Sequence, residues 1–174
     1  SVADCERPTY ASDQLVCADA ELLALDRELR DRLATVDLRA RVAPASLIEP
    51  DDLWFRRRSL CAFSERHAAC LKAAYSERIA VIAAVGSAST EVTQRSESAS
   101  CRDAPWGLSE VVVQRTNDQS ATVTDMQGRV LAVAFVTSRG GDWSPSVRYA
   151  VHGATIRFTT LGGSTVECHI RSAD

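Results

Sequence analysis

Lysine is almost absent from this chain: Lys72 is the only one, and arginine carries the rest of the basic charge. Long apolar runs are missing too. The longest, Ile79 to Val85, reads as the end of a helix and falls far short of the ~18 residues needed to cross a bilayer. No large basic cluster exists, and with a formal charge of −3 the composition excludes a general nucleic-acid binder. Arg56, Arg57 and Arg58 are consecutive, but neighbours on a helix point in different directions, so the expectation for them is a solvated face. Catalytic signatures are lacking as well: there is no G-x-S-x-G, no H-E-x-x-H and no glycine-rich phosphate loop. His67, His152 and His169 are scattered, there is no C-x-x-C, and Asp51-Asp52 reads as a helix cap. These gaps point away from an enzyme and from any metal or cofactor.

What is present is cysteine. Cys5, Cys17, Cys61, Cys70, Cys101 and Cys168 form an even set, four in the first half and two bracketing the second. Disulfides in an oxidising compartment account for such a set better than metal binding does. A Cys101–Cys168 bridge would tie together the ends of the second half, and Cys5–Cys17 and Cys61–Cys70 are the local pairs in the first. Crossed pairings remain open, because six cysteines allow about 15. The opening Ser1-Val2-Ala3-Asp4 is compatible with a removed export signal. Asp4 is a poor neighbour for lipid attachment, so Cys5 is read as a disulfide partner. The expected location is periplasmic or secreted.

The hydrophobic period changes along the chain. Leu22, Leu25, Leu29, Leu33 and Val36 recur at helical steps behind Asp19, a natural N-cap. Their intervening charges predict a solvated face with Asp26–Arg30 and Glu28–Arg32 pairs. A second helix, capped by Asp51 or Asp52, carries Trp54 and Cys61, and a third runs from Ala68 to about Val85 with Leu71, Tyr75 and Ile79 on its stripe. Trp54, Leu71, Tyr75 and Ile79 are expected in the core. Residues 86–100 are small, polar and aperiodic, as a linker should be. Beyond Cys101 the segments 111–115, 121–125, 130–136, 147–151, 155–160 and 164–170 are rich in Val, Thr, Ile and Phe. Turn residues separate them at Asn117-Asp118, Gln127-Gly128, Gly140-Gly141, His152-Gly153 and Gly162-Gly163. The expected fold class is α+β in two domains. A disulfide-stapled three-helix domain over 1–85 is followed by the 86–100 linker and a small antiparallel β-barrel or sandwich over 101–174, closed by a disulfide.

The first half resembles the LprI-like family of lysozyme inhibitors. The matching pieces are Asp4-Cys5, Leu15 to Leu22, Leu25 to Leu29, Trp54 with Arg58 and Cys61, and Ala69-Cys70-Leu71 with Ala74-Tyr75 and Arg78-Ile79. They cover most of residues 4–82 in order, and the loop Ala43–Pro50 departs from the family pattern. In the second half, Arg148-Tyr149, Gly153, Phe158, Gly162 and Cys168 resemble the membrane-associated inhibitor family of c-type lysozyme (MliC-like). Where that family carries Lys-Gly, this chain has Leu161-Gly162. The resemblance implies a disulfide-closed barrel presenting a loop to a lysozyme cleft.

The chemistry such a loop needs can be stated separately. A retaining glycosidase holds two carboxyl groups about 5 Å apart, one of them ionised. A hydroxyl and a cation on a preorganised loop complement that pair. Trp143, Ser144, Ser146, Arg148 and Tyr149, with Pro145 among them, supply those groups and form the candidate target-binding loop. Acidic excess lies in residues 1–98, 16 Asp/Glu against 13 Lys/Arg, so attraction of a basic partner would come from the helical half. The expected function is inhibition of a lysozyme or other peptidoglycan hydrolase. The alternatives are an immunity protein against a cell-wall-degrading toxin and a non-inhibitory envelope scaffold.

Overall fold

The computed structural model describes residues 3–88, 96–107, 110–116, 119–136 and 142–171. The helices come first: α1 (Ala11–Ala18), α2 (Ala20–Thr35), α3 (Leu38–Arg41), α4 (Asp51–Ser59), a 3-10 turn (Leu60–Phe63) and α5 (His67–Ser87). Seven strands follow: β1 (Ser96–Arg102), β2 (Glu110–Arg115), β3 (Ser120–Thr124), β4 (Val130–Phe135), β5 (Val147–His152), β6 (Thr155–Thr160) and β7 (Thr165–Ile170). They close into a barrel in sequence order. The chain is therefore α+β, and the choice between barrel and sandwich is settled. All three disulfides form as local pairing suggested, Cys5–Cys17, Cys61–Cys70 and Cys101–Cys168.

Contacts divide the chain into two compact units. The helical unit comprises the described residues within Ser1–Val36, Glu49–Ala83 and Ser138–Ser144; the barrel unit takes those within Asp37–Ile48, Ala84–Thr137 and Pro145–Asp174. Both are discontinuous in sequence, unlike the expected 1–85 and 101–174.

In the helical unit α2 forms where its cap and period predict. Asp19 Oδ1 accepts from the amides of Glu21 and Leu22, satisfying two donors that have no partner inside the helix. Leu22 and Leu29 are buried, as are Val16, Trp54, Leu71, Tyr75 and Ile82 of the same unit. Burying a side chain of that size contributes about 1.5–3 kcal/mol, before chain entropy is set against it. The expected core residues Trp54, Leu71 and Tyr75 are fully buried, and Ile79 is half-buried. Pro50, not Asp51 or Asp52, occupies the N-cap of α4. Both aspartates lie in its first turn, where the helix dipole favours negative charge. The Cys61–Cys70 bond spans the break after the 3-10 turn.

Three elements escaped prediction, among them the single turn α3, where a loop was expected after Val36. α1 is short and buries Ser12 and Asp13 along with Val16, so it shows no apolar stripe. β1 occupies residues assigned to the linker, because Ser-Glu-Ser-Ala-Ser-Cys-Arg has none of the β-branched or aromatic residues that mark strands. Its inward positions are Ala99 and Cys101, both buried. Of the predicted linker, residues 89–95 lie outside the described residues, as do the turns at Asn117-Asp118 and Gly140-Gly141.

Every neighbouring pair in the barrel is antiparallel except β4 and β5, which run parallel through one bridge, Phe135 to Arg148. β4 is buried at all six positions, hence its unbroken apolar sequence Val-Leu-Ala-Val-Ala-Phe. Two of its carbonyls are taken from far upstream: Ala43 N–H donates to Val130 and Leu47 N–H to Leu131, beside a parallel bridge of Val42 to Val130. The first part of the Ala43–Pro50 loop thus straps the barrel. Gly128 closes the β3–β4 turn at φ 82°, a conformation that costs other residues dearly.

Cys101 and Cys168 are directly opposed on β1 and β7, so their bond fastens the first strand to the last. It closes 67 residues against 12 and 9 for the other two. The chain-entropy model gives it the largest effect, roughly 4 kcal/mol against about 3. Replacing both cysteines by serine should lower the barrel's stability by about that amount, measured by guanidinium unfolding followed at β-sheet ellipticity; a loss no larger than for the Cys61/Cys70 double replacement would contradict it.

Candidate functional site

The five residues expected on one target-binding loop divide between the two units. Trp143 and Ser144 belong with the helical unit, and Ser146, Arg148 and Tyr149 with the barrel.

In the helical unit the segment 142–144 is pinned along its length. The Ser64 hydroxyl donates to Asp142, with Arg66 at 3.6 Å on the same carboxylate. Trp143 is 3% exposed, its ring lying 3.8 Å beneath the Arg57 guanidinium. The same guanidinium donates to the Ser144 carbonyl at 2.7 Å, to both Glu49 oxygens at 2.9 and 3.0 Å, and to Glu77 at 3.0 Å. A planar cation can satisfy all of these while its face covers an indole. Trp143 is therefore an anchor rather than a contact, while Ser144 is exposed.

The barrel unit sorts its three residues by the period of β5. Val147 and Tyr149 face the core, and Arg148 faces out. Tyr149 packs 6.2 Å from Phe158, and burial pushes its phenol pKa up, with Arg115 opposing. Arg148 is exposed and makes no hydrogen bond or ion pair with another described side chain. Ser146 is half-buried, and its carbonyl accepts from Leu161 N–H at 3.1 Å. Of the expected loop, the exposed Arg148 thus lies on the outer face of the barrel, with the half-buried Ser146 two residues before it.

The arginine triplet corrects the sequence expectation. Arg56 is exposed, but Arg57 is largely covered and Arg58 fully buried. Trp54, Arg58 and Cys61 recur at steps of four and three, which places Arg58 on the inward stripe of α4 and its 3-10 turn. Its guanidinium donates to the Tyr75 hydroxyl at 2.7 Å, to Ser12 Oγ and to Asp13, while its face lies 4.4 Å from the Phe55 ring. Tyr75 in turn donates to Asp26 at 2.7 Å, and Asp26 also accepts from Ala3 N–H at 3.0 Å. Asp26 is 1% exposed and so does not join the predicted surface pair with Arg30; the Glu28–Arg32 pair does form, at 3.3 Å. The sequence signal for this network was the placement of Arg58 and Asp26 within apolar stripes. Asp13 and Glu77 offered no such signal.

Arg78 is buried as well and donates to the Glu49 carbonyl at 2.7 Å. Burial lowers its pKa, and Asp51, Glu49 and Glu77 oppose that shift. Among the described residues no group of His, Cys, Asp and Glu is arranged to hold a metal ion, and no helix is long and apolar enough to cross a membrane. No protein-family model matches the chain, and neither a curated protein nor a solved structure matches it.

Removing one partner of a buried ion pair leaves the other uncompensated, at about 3–5 kcal/mol. Arg58→Met should destabilise the helical unit by that amount, with a smaller loss when Asp13→Asn accompanies it, both read by guanidinium denaturation. The network also makes an alkaline prediction. Burial, reinforced by Asp26 and opposed by Arg58, raises the Tyr75 pKa above its ordinary 10.0. The folded state therefore holds this proton more tightly than the unfolded chain. The associated stability is complete below pH 10 and is lost as pH climbs beyond it. In thermal melts Tyr75→Phe should flatten the alkaline decline, leaving the part due to Tyr149; an unchanged slope would exclude the linkage.

Proposed function

We propose that the protein is an exported inhibitor that binds a lysozyme or related peptidoglycan hydrolase and blocks its active-site cleft. The observation that carries this reading is Arg148. It is an exposed guanidinium without a side-chain partner among the described residues, on a strand whose alternate residues Val147 and Tyr149 are locked into the barrel core. Ser146 lies two residues before it. A cation and a hydroxyl held on a rigid strand end suit the paired carboxyl groups of a glycosidase cleft, and preorganisation removes much of the ordering cost of binding. Tyr149 serves the reading as the anchor of the strand that carries Arg148. The resemblance of residues 4–82 to the LprI-like family and of the barrel to the MliC-like family supports the same assignment. Three disulfides fit an oxidising, extracytoplasmic location.

A second reading, an immunity protein directed at one cognate toxin, is favoured by another surface. Leu60 and Phe63 are 64% and 85% exposed on the turn stapled by Cys61–Cys70, an apolar contact suited to a dedicated protein partner.

Titration against hen-type, goose-type and invertebrate-type lysozymes tests the first reading. At least one should be inhibited stoichiometrically. Arg148→Ala combined with Ser146→Ala should weaken inhibition by about 100-fold, the scale of losing central interface contacts, while far-ultraviolet ellipticity shows the variant still folded. Inhibition that survives the double replacement would move the site elsewhere, and inhibition of none of the three would overturn the reading.

A further inference from the structure

The three disulfides differ in their access to solvent. Cys61, Cys70, Cys101 and Cys168 are all buried, none of them more than 4% exposed. Cys5 is exposed and its partner Cys17 half-buried. Thiol–disulfide exchange requires an attacking sulfur to reach a bonded one, and exposed disulfides are the labile ones. In the folded protein the Cys5–Cys17 bond is therefore the one open to attack. The flanking chain keeps it so: Asp4 Oδ1 accepts from the amides of Glu6 and Arg7, which fixes a turn whose residues 4–7 are all exposed.

The same bond restrains a contact with the interior. It ties the segment 3–10 to α1, and at the start of that segment the buried Ala3 donates its N–H to Asp26 at 3.0 Å. Asp26 has no donor to spare. Its hydrogen bonds from Ala3 and Tyr75 both arrive at Oδ1, and Oδ2 is shielded from water with no partner. Losing Ala3 would leave a buried carboxylate held by Tyr75 alone among the described donors, at the centre of the network that joins α1, α2 and α5.

We propose that Cys5–Cys17 is a thiol–disulfide exchange site that couples the surrounding redox state to the packing of the helical unit. The co-reactant is a dithiol. One of its thiolates attacks the Cys5 sulfur, forming a mixed disulfide, and Cys17 leaves as a thiolate that takes up a proton. The second thiolate of the reductant then attacks its own sulfur in the mixed disulfide, releasing Cys5 as a thiol and closing the reductant's disulfide. Two electrons and two protons have passed to the protein. The freed segment withdraws Ala3 from Asp26, and α1 and α2 loosen. This chemistry requires no hydrolase.

The oxidised native protein, titrated with dithiothreitol, quenched with iodoacetamide and mapped by peptide mass spectrometry, tests the site. The first cysteines labelled should be Cys5 and Cys17. At that stage the amides of α1 and α2 should exchange their hydrogens about 10-fold faster or more, with those of β1 to β7 unchanged. Labelling that starts at either other disulfide, or appears at all six cysteines together, would overturn the site. Unchanged exchange in α1 and α2 after reduction of Cys5 and Cys17 would overturn the coupling. Cys5→Ser with Cys17→Ser should show the fast exchange without reductant; if that variant fails to fold, by far-ultraviolet ellipticity, the partly reduced native protein decides.

Discussion

A guanidinium with no access to water sits where the segments of the helical unit meet. Arg58 reaches from α4 to Asp13 and Ser12 on α1 and to Tyr75 on α5, and Tyr75 passes the connection to Asp26 on α2 and so to the backbone of Ala3. A buried charge is tolerated only when its hydrogen bonds and counter-charge are in place together. The network therefore constrains position as much as it adds stability. A helix that slid or rotated would strand a charge, whereas an apolar contact would merely repack. Such directionality matters in a small unit whose apolar core alone accepts many arrangements.

Arg57 works differently one residue away. It is partly accessible, shared among Glu49, Glu77 and a backbone carbonyl, and flat against Trp143. Adjacent arginines on one helix thus divide the labour, one fixing the interior and the other holding 142–144 against the helices. The barrel has no buried ionic centre of this kind among its described residues. Its order comes from alternating apolar side chains and the Cys101–Cys168 cross-strand bond.

Much of this was legible in the chain itself. Asp19 before a leucine repeat announces α2, turn residues between Val- and Thr-rich runs announce six of the seven strands, and cysteine spacing suggests the pairing that forms. What stayed hidden depends on partners remote in sequence. β1 is a strand because β2 and β7 flank it, not because Ser96–Arg102 favours one. Trp143 resembles a surface anchor until Arg57, a distant helix residue, covers it. Tyr149 could have been placed, since it shares the inward phase of β5 with Val147, and that phase leaves Arg148 outside. The candidate site was readable as a set of chemical groups, and the period of β5 orients two of them, but the cover over Trp143 was not readable.

The strap across β4 carries a temporal consequence. Val42 and Val130 lie roughly 90 residues apart, and contacts so remote are slow to form because the intervening loop must first be closed. A chain emerging N-terminus first exposes 42–47 long before β4 exists to receive it. The helical unit likewise awaits 142–144 after its own helices are complete. Each unit therefore closes only after a segment remote in the chain has been made, the helical one at 142–144 and the barrel one with β5 to β7.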